Sequence, residues 1–372
     1  MNRLYSIVAV VLAIALITTS CGSDGSASVS MQGTDTVCGS TDMPSVIPAT
    51  NQEAGTRADT TIRLATHDSF ALSPETLEAF TAQTGITVDV VSVGDAGQLV
   101  STAVLSKGNP TADVLFGIDN AFLCRGLNAG IFAPYTSPNL SALDQDLVLD
   151  DVHRVTPISY GDVCVNYWRD AVPSEPGSLN DLTSAEFDGA FVTMDPETSS
   201  PGFAFLLATI AAFGDGWPDY WQSLTDNDVS ITSGWSDAYY GEFTAGGGDR
   251  GVVTSYASSP PAEVIFADPP VDAPPTGVIA DSCFRQIEFA GILAGTSQPT
   301  AAARLIDFML TPQYQEDIPM NMFVYPAHPG AVLPDAFAQH TVDVVNPLTI
   351  DPAEIEANRD AWTAQWREIV LG

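Results

Sequence analysis

Positive charge is what this chain has least of. Its 372 residues carry 12 Lys+Arg against 46 Asp+Glu, for a formal net charge of −34, and Lys107 is its single lysine. Such a surface repels phosphodiesters, which excludes nucleic acid as a partner, and it leaves no lysine-built phosphate clamp. A cationic ligand is attracted instead. Histidine is sparse as well: the 4 histidines are His67, His153, His328 and His340, and no two are spaced as a metal pair. The H-E-x-x-H zinc motif, the G-x-S-x-G nucleophile turn, the P-loop and a G-x-G-x-x-G after the first strand are all missing. No catalytic machinery, resident metal or cofactor is therefore expected. Outside the N-terminus no apolar run is long enough to span a bilayer.

What is present begins with an address. Asn2-Arg3 precedes an apolar stretch at 4–17, and Thr18-Thr19-Ser20-Cys21-Gly22 follows. A short apolar core with a positive flank, ending in small residues before a cysteine, has the form of a signal peptide over 1–20 closed by a lipobox. Cys21 would then be lipidated, holding the chain on the outer face of the cytoplasmic membrane. Residues 21–57 are rich in Ser, Gly, Thr and Asn without a hydrophobic period, and read as a flexible tether. The remaining cysteines, Cys38, Cys124, Cys164 and Cys283, are even in number, which in an oxidising compartment suggests disulfides. Three pairings are open. Cys164 and Cys283 both lie in strand-like runs, which favours joining them and leaves Cys38 with Cys124.

From residue 60 the pattern becomes regular. Strands at 61–65, 86–93 and 113–116 alternate with helices at 74–84, 98–106 and 119–128, as in a mostly parallel sheet covered on both faces. A long apolar strand at 155–168 opens a second series. Its parts are strands at 189–194, 229–232 and 252–256, with helices at 203–213, 217–224, 237–243 and 262–267. A Pro-rich loop at 269–276, another long strand at 282–292, an amphipathic helix at 300–310 and a terminal helix at 352–369 complete the chain. Two α/β blocks bracketed by two long strands read as two lobes joined by two crossovers. Residues 58–158 plus 290–372 form lobe 1 and 159–289 form lobe 2, with the terminal helix free to pack on either. In this α/β, two-lobed arrangement the cleft between the lobes, at the carboxyl ends of strands, is the expected ligand site.

The strand ends are rich in polar and aromatic groups. His67, Asp68 and Phe70 follow the first strand, Asp95 the second, Asp119 and Asn120 the third. In 194–210, MDPETSSPGFAFLLATI, a turn places Thr198, Ser199 and Ser200 at the start of a helix, whose free N–H groups and positive dipole suit an anionic or polar group. Trp235, Tyr256 and Phe323 lie after later strands or turns. Together these groups suit a flat, cationic, partly polar molecule: rings stack on it, a carboxylate offsets its charge, and the helix start takes an anionic tail.

The chain also resembles the periplasmic thiamine-binding proteins of ABC importers, within the iron- and thiamine-type class of two-lobed solute receptors. The resemblance runs from about Thr61 to the C-terminus, through THDSF (66–70), KGNPTADVLFGIDN (107–120), SYGDVCVNY (159–167), DPETSSPG (195–202), SGWSDAY (233–239), SYASSP (255–260), FVYP (323–326) and DPAEIEANRDAWTAQW near the end. It implies a periplasmic-binding-protein-like type II fold that holds thiamine or its phosphates between closing lobes. It also implies a monomer that delivers its ligand to a membrane permease and its ATPase. By this resemblance Asp95 is a ligand-contacting carboxylate, Ser199 and Trp235 sit at the hydroxyl or phosphate end of the ligand, and Tyr256 is a contact tyrosine. His67 stands where the family often has tyrosine, Phe323 where it often has tryptophan, and Ala262 where a stacking tyrosine is expected. The same fold could instead hold a polyamine or ferric iron. Iron receptors need clustered oxygen ligands, and Tyr239 and Tyr240, as neighbours on a helix, are expected to point apart. A secreted hydrolase built on Ser199 or Cys164, with His67 or His153 as base, is the remote alternative.

Overall fold

The computed structural model describes Val37, Cys38, Ile47 and residues 60–372. The expected signal peptide, Cys21 and most of the expected tether lie outside the described residues.

Ten strands are described: β1 (Thr60–Thr66), β2 (Ile86–Ser92), β3 (Val114–Asp119), β4 (Phe132–Ala133), β5 (Thr156–Trp168), β6 (Phe191–Met194), β7 (Ser230–Thr232), β8 (Val252–Tyr256), β9 (Thr276–Leu293) and β10 (Tyr325–Pro326). They follow the order β2-β1-β3-β9-β5-β8-β6-β7, with β4 on β9 and β10 on β5. At one end β2, β1 and β3 are parallel, and at the other β8, β6 and β7 are parallel. Between these triplets β5 and β9, 13 and 18 residues long, run antiparallel to each other. β9 offers residues 288–292 to β3, whereas β5 offers residues 163–167 to β8. Each parallel triplet thus attaches to a different stretch of the same two strands, and both strands pass from one half of the molecule to the other. Both are buried along most of their length, which accounts for their near-continuous apolar sequence.

Pairing between β5 and β9 shifts between Val163 and Val165, where β9 carries the unpaired residues 280–283. Cys283 in that bulge is bonded to Cys164, and the second disulfide joins Cys38 to Cys124. β9 starts six residues earlier than the hydrophobic pattern predicts, because residues 276–279 pair with residues 165–168 of β5 and resume the ladder beyond the unpaired 280–283. The helix predicted over 119–128 starts only at Leu123: Asp119 closes β3, and its Oδ1 accepts the N–H groups of Ala121 and Phe122 at 3.0 Å each.

The helix Ser200–Phe213 packs between β9 and the helix Trp217–Asp226, and every residue from Ser200 to Thr209 is buried. A helix apolar on all sides needs such a position. The terminal helix, Pro352–Val370, touches both blocks. Its Trp366 meets Trp221 edge to face at 5.7 Å, and its Arg359 guanidinium lies 4.4 Å from the Phe122 ring centroid. Among the described residues no helix is long and apolar enough to cross a membrane.

Candidate functional site

The carboxyl ends of both parallel triplets face one cavity of about 590 Å³. β1 leads to His67, β2 to Asp95, β7 to Trp235 and β8 to Tyr256, and all four residues line it. Phe323 lines it too, from a turn in which it adopts φ 57°. The structure therefore brings together five of the six ligand candidates read from the sequence.

Ser199 is the one it does not bring in. The side chain is wholly buried, and its hydroxyl accepts the Gly202 N–H at 3.4 Å as the N-cap of the helix Ser200–Phe213. An N-cap residue turns its side chain back onto its own helix, so the next residue, Ser200, faces the cavity.

Asp95 joins the two halves through backbone donors of the second. It caps the helix Ala96–Leu105, with Oδ1 accepting the Ala96 N–H at 2.6 Å and the Ser200 N–H at 3.2 Å, while Oδ2 accepts the Trp235 N–H at 3.1 Å. The approach is close enough to demand glycine next door: a Cβ on Gly97 would lie 2.7 Å from the Thr198 carbonyl oxygen. Burial pushes the Asp95 carboxyl above its ordinary value, against the opposing influence of His67 and the three N–H donors.

Behind Asp95 lies a polar network from the sheet itself. Gln286 and Glu288, alternate residues of β9, face the cavity. Gln286 Nε2 donates to Asp119 Oδ2 at 2.7 Å and Ser200 Oγ hydrogen-bonds Asp119, while Gln286 Oε1 accepts the Tyr256 hydroxyl at 2.8 Å. Glu288 accepts from Ser159 Oγ at 2.8 Å. His67 Nε2 lies 3.3 Å from Glu288 Oε1, an ion pair when the imidazole is protonated. Burial opposes a charged imidazole here, yet Glu288, Asp95 and Asp68 outweigh it and raise the His67 pKa. The ring needs Gly117, at φ 105°, beside it, since a Cβ there would sit 2.4 Å from His67 Cδ2.

One wall is aromatic. Trp235 stacks on Tyr239 at 4.8 Å and 21°, its Nε1 donates to Ser255 Oγ at 3.1 Å, and Tyr256 stands 6.5 Å away. Tyr239 and Tyr240 do not diverge as expected of helix neighbours. The chain widens into a π-helical turn at Ala238–Glu242, and both tyrosines line the cavity with rings 5.4 Å apart and nearly perpendicular. Near the mouth Phe266 meets Phe323 edge to face at 5.4 Å, in the region where Ala262 presents only a methyl group.

Sequence reasoning missed Gln286, Glu288, Glu263 and Phe266, and it named Ser200 and Tyr239 without choosing them as ligand contacts. A signal existed for two of them: Gln286 and Glu288 are polar residues two apart in a largely apolar strand and so share one face. Asp68, Asp95, Glu263 and Glu288 line the cavity, and among the described residues no lysine or arginine does. Among the described residues no group of three His, Cys, Asp or Glu is placed to hold a metal ion. The hydrolase candidates are otherwise engaged: Cys164 is in a disulfide and the Ser199 hydroxyl caps a helix.

Comparisons with known proteins fit this geometry. Residues 109–350 match the family described as "Bacterial extracellular solute-binding protein". The thiamine-binding periplasmic protein of Escherichia coli (strain K12) is 30% identical over 311 residues, covering 82% of this chain and 92% of the relative. A solved structure titled "Periplasmic thiamin binding protein" superposes with a TM-score of 0.74 at 28% identity, covering 85% of this chain and 98% of the other. The ferric binding protein from Campylobacter jejuni, at 17% identity, has a TM-score of 0.67, covers 83% of this chain and 99% of its own, and shares the fold.

Proposed function

The chain belongs to the bacterial extracellular solute-binding protein family, and on that premise we propose that it captures thiamine between two closing lobes and passes it to an ABC import permease and its ATPase. The observation that carries the ligand choice is the cavity itself, with four carboxylates, an aromatic wall and, among the described residues, no lysine or arginine in its lining. A flat cation gains from both features: the carboxylates offset its charge, and Trp235, Tyr239 and Tyr256 offer ring faces and edges. Of the residues named from the sequence, His67, Asp95, Trp235, Tyr256 and Phe323 are the proposed ligand contacts, with Ser200 in place of Ser199.

Closure is proposed to run through Asp95. Residues 58–158 plus 290–372 and residues 159–289 are the two moving bodies, hinged on β5 and β9. Bringing them together lets Asp95 take the N–H groups of Ser200 and Trp235, as it does here. In this reading the protein is a non-catalytic monomer without a cofactor, exported by its signal peptide and tethered by lipidated Cys21. A polyamine is the second reading, favoured by carboxylates at separated points of the cavity. Calorimetric titration of the purified protein with thiamine, thiamine monophosphate and spermidine tests the assignment. One-to-one binding of thiamine, recovered unchanged afterwards, is the expected result; spermidine binding without thiamine binding would replace it.

A further inference from the structure

Asp95 joins the halves deep in the cavity, through polar contacts. At the mouth an apolar contact joins them, where Phe266 meets Phe323 edge to face at 5.4 Å. Phe323 belongs to the first half: Asp317, earlier in the same short segment, accepts the Ser73 N–H at 2.8 Å. Phe266 belongs to the second half, capping the end of the helix Ser259–Ile265, and its N–H donates to the Ala262 carbonyl at 3.0 Å. That helical bond puts Phe266 on the same face as Ala262, one turn further on. Ala262 gives the cavity only a methyl group, so the ring over this part of it comes from Phe266.

The Phe266 side chain is 59% exposed. Among the described residues Tyr240 is the other exposed large apolar side chain in the lining, and it carries a hydroxyl that water can bond. Phe266 has none, so its ring gains when something flat or apolar covers it from inside the cavity. Its partner is held in place at a cost. Phe323 has φ 57°, a left-handed backbone that a bulky residue adopts only where its surroundings impose it, as they do at ligand clamps.

Resting on the solute-receptor reading above, we infer that Phe266 is a ligand-positioning residue that sets how long the ligand stays: with Phe323 it closes the mouth of the cavity, and its ring packs on the outward face of a bound flat ligand. Phe266→Ala removes the cover, and Phe266→Leu keeps apolar bulk without the ring. Each protein is loaded with radiolabelled thiamine and chased with excess unlabelled thiamine, which reads release. Association is read by stopped-flow tryptophan fluorescence, and the unliganded melting point by circular dichroism. F266A is expected to release thiamine about tenfold faster and F266L about threefold faster, with association within about twofold of wild type. The melting point should hold in both variants, because the side chain is largely exposed. Release from F266A at the wild-type rate overturns the inference. So does an affinity loss carried wholly by slower association, or one matched by a fall in the unliganded melting point. Wild type that retains spermidine but not thiamine removes the thiamine reading, and the same chase with labelled spermidine then decides the role of Phe266 by the same criterion. Wild type that binds neither overturns both.

Discussion

Asp95 performs three tasks with two oxygens. It caps a helix, ties the second half of the molecule through the Ser200 and Trp235 N–H groups, and lends its charge to the cavity. Asp95→Ala is expected to weaken thiamine binding at least about tenfold. The Ala96, Ser200 and Trp235 N–H groups all lose their side-chain acceptor, at about 1–3 kcal/mol for each that stays buried, so the melting point falls. Trp235→Ala should weaken binding to a similar degree through loss of the stacked face, and calorimetry beside circular-dichroism melts separates affinity from fold. Wild-type affinity in both variants would remove these residues from the site. The neighbouring serines divide their labour. Ser199→Ala should lower stability by about 1 kcal/mol as a lost N-cap and leave affinity nearly unchanged. Ser200→Ala should lower affinity as well as stability, since Asp119 and Gln286 lose the hydroxyl they bond; a larger affinity loss in Ser199→Ala would reverse the assignment.

Two helices decide how the halves meet. At the start of the helix Ala96–Leu105, Gly97 lies against the Thr198 and Glu197 carbonyls, with room for no side chain. Gly97→Ala is favourable for an isolated helix by about 0.5–1 kcal/mol, yet the added methyl holds the halves apart. Ligand affinity should fall at least about fivefold while the melting point of the unliganded protein holds or rises. Unchanged affinity would mean that closure does not pass through this contact. The terminal helix works at a different face. Trp366 is wholly buried against Trp221, and Arg359 lies over Phe122 on one block and Phe203, at 5.5 Å, on the other. Burial, with Arg125 nearby, pushes the Arg359 pKa down to about 10. Trp366→Ala should cost about 3–5 kcal/mol, read from the denaturation midpoint.

Across the whole molecule the cavity makes unliganded stability depend on pH in an unusual direction. Burial raises the pKa of Asp95, Asp119 and Glu263 in the folded chain, and His67 is raised by Glu288, Asp95 and Asp68 against the effect of burial. A group whose pKa is raised by folding contributes stability below its unfolded value and loses it as pH rises through the folded one. For His67, whose ordinary value is 6.5, that loss falls above 6.5. The unliganded protein should therefore melt higher at about pH 6 than at about pH 8, with a weaker slope in His67→Asn. A bound cation favours ionised carboxylates, so its affinity should move the opposite way, weakening toward pH 6. Scanning calorimetry at both pH values, with and without ligand, checks the pair of slopes. A flat or inverted profile for the unliganded protein would show that these groups are not perturbed as the geometry requires.

The alternation of strands and helices, the long strands that became β5 and β9, and the acidic bias of the cavity lining were legible in the sequence. Each rests on local information: apolar period, cap residues, and the balance of 12 basic against 46 acidic residues. His67, Asp95, Trp235 and Tyr256 were legible for a related reason, since they stand where strands end and α/β sheets bind ligands there. Tertiary structure alone decided the rest. Whether Ser199 or Ser200 faces the cavity depends on one rotation about a helix start. Whether Tyr239 and Tyr240 face the same cavity depends on a π-helical turn, and whether Glu263 joins them depends on a helix brought in from more than twenty residues away. None of these is encoded in a period. Each follows from how packing orients a side chain once its neighbours are in place.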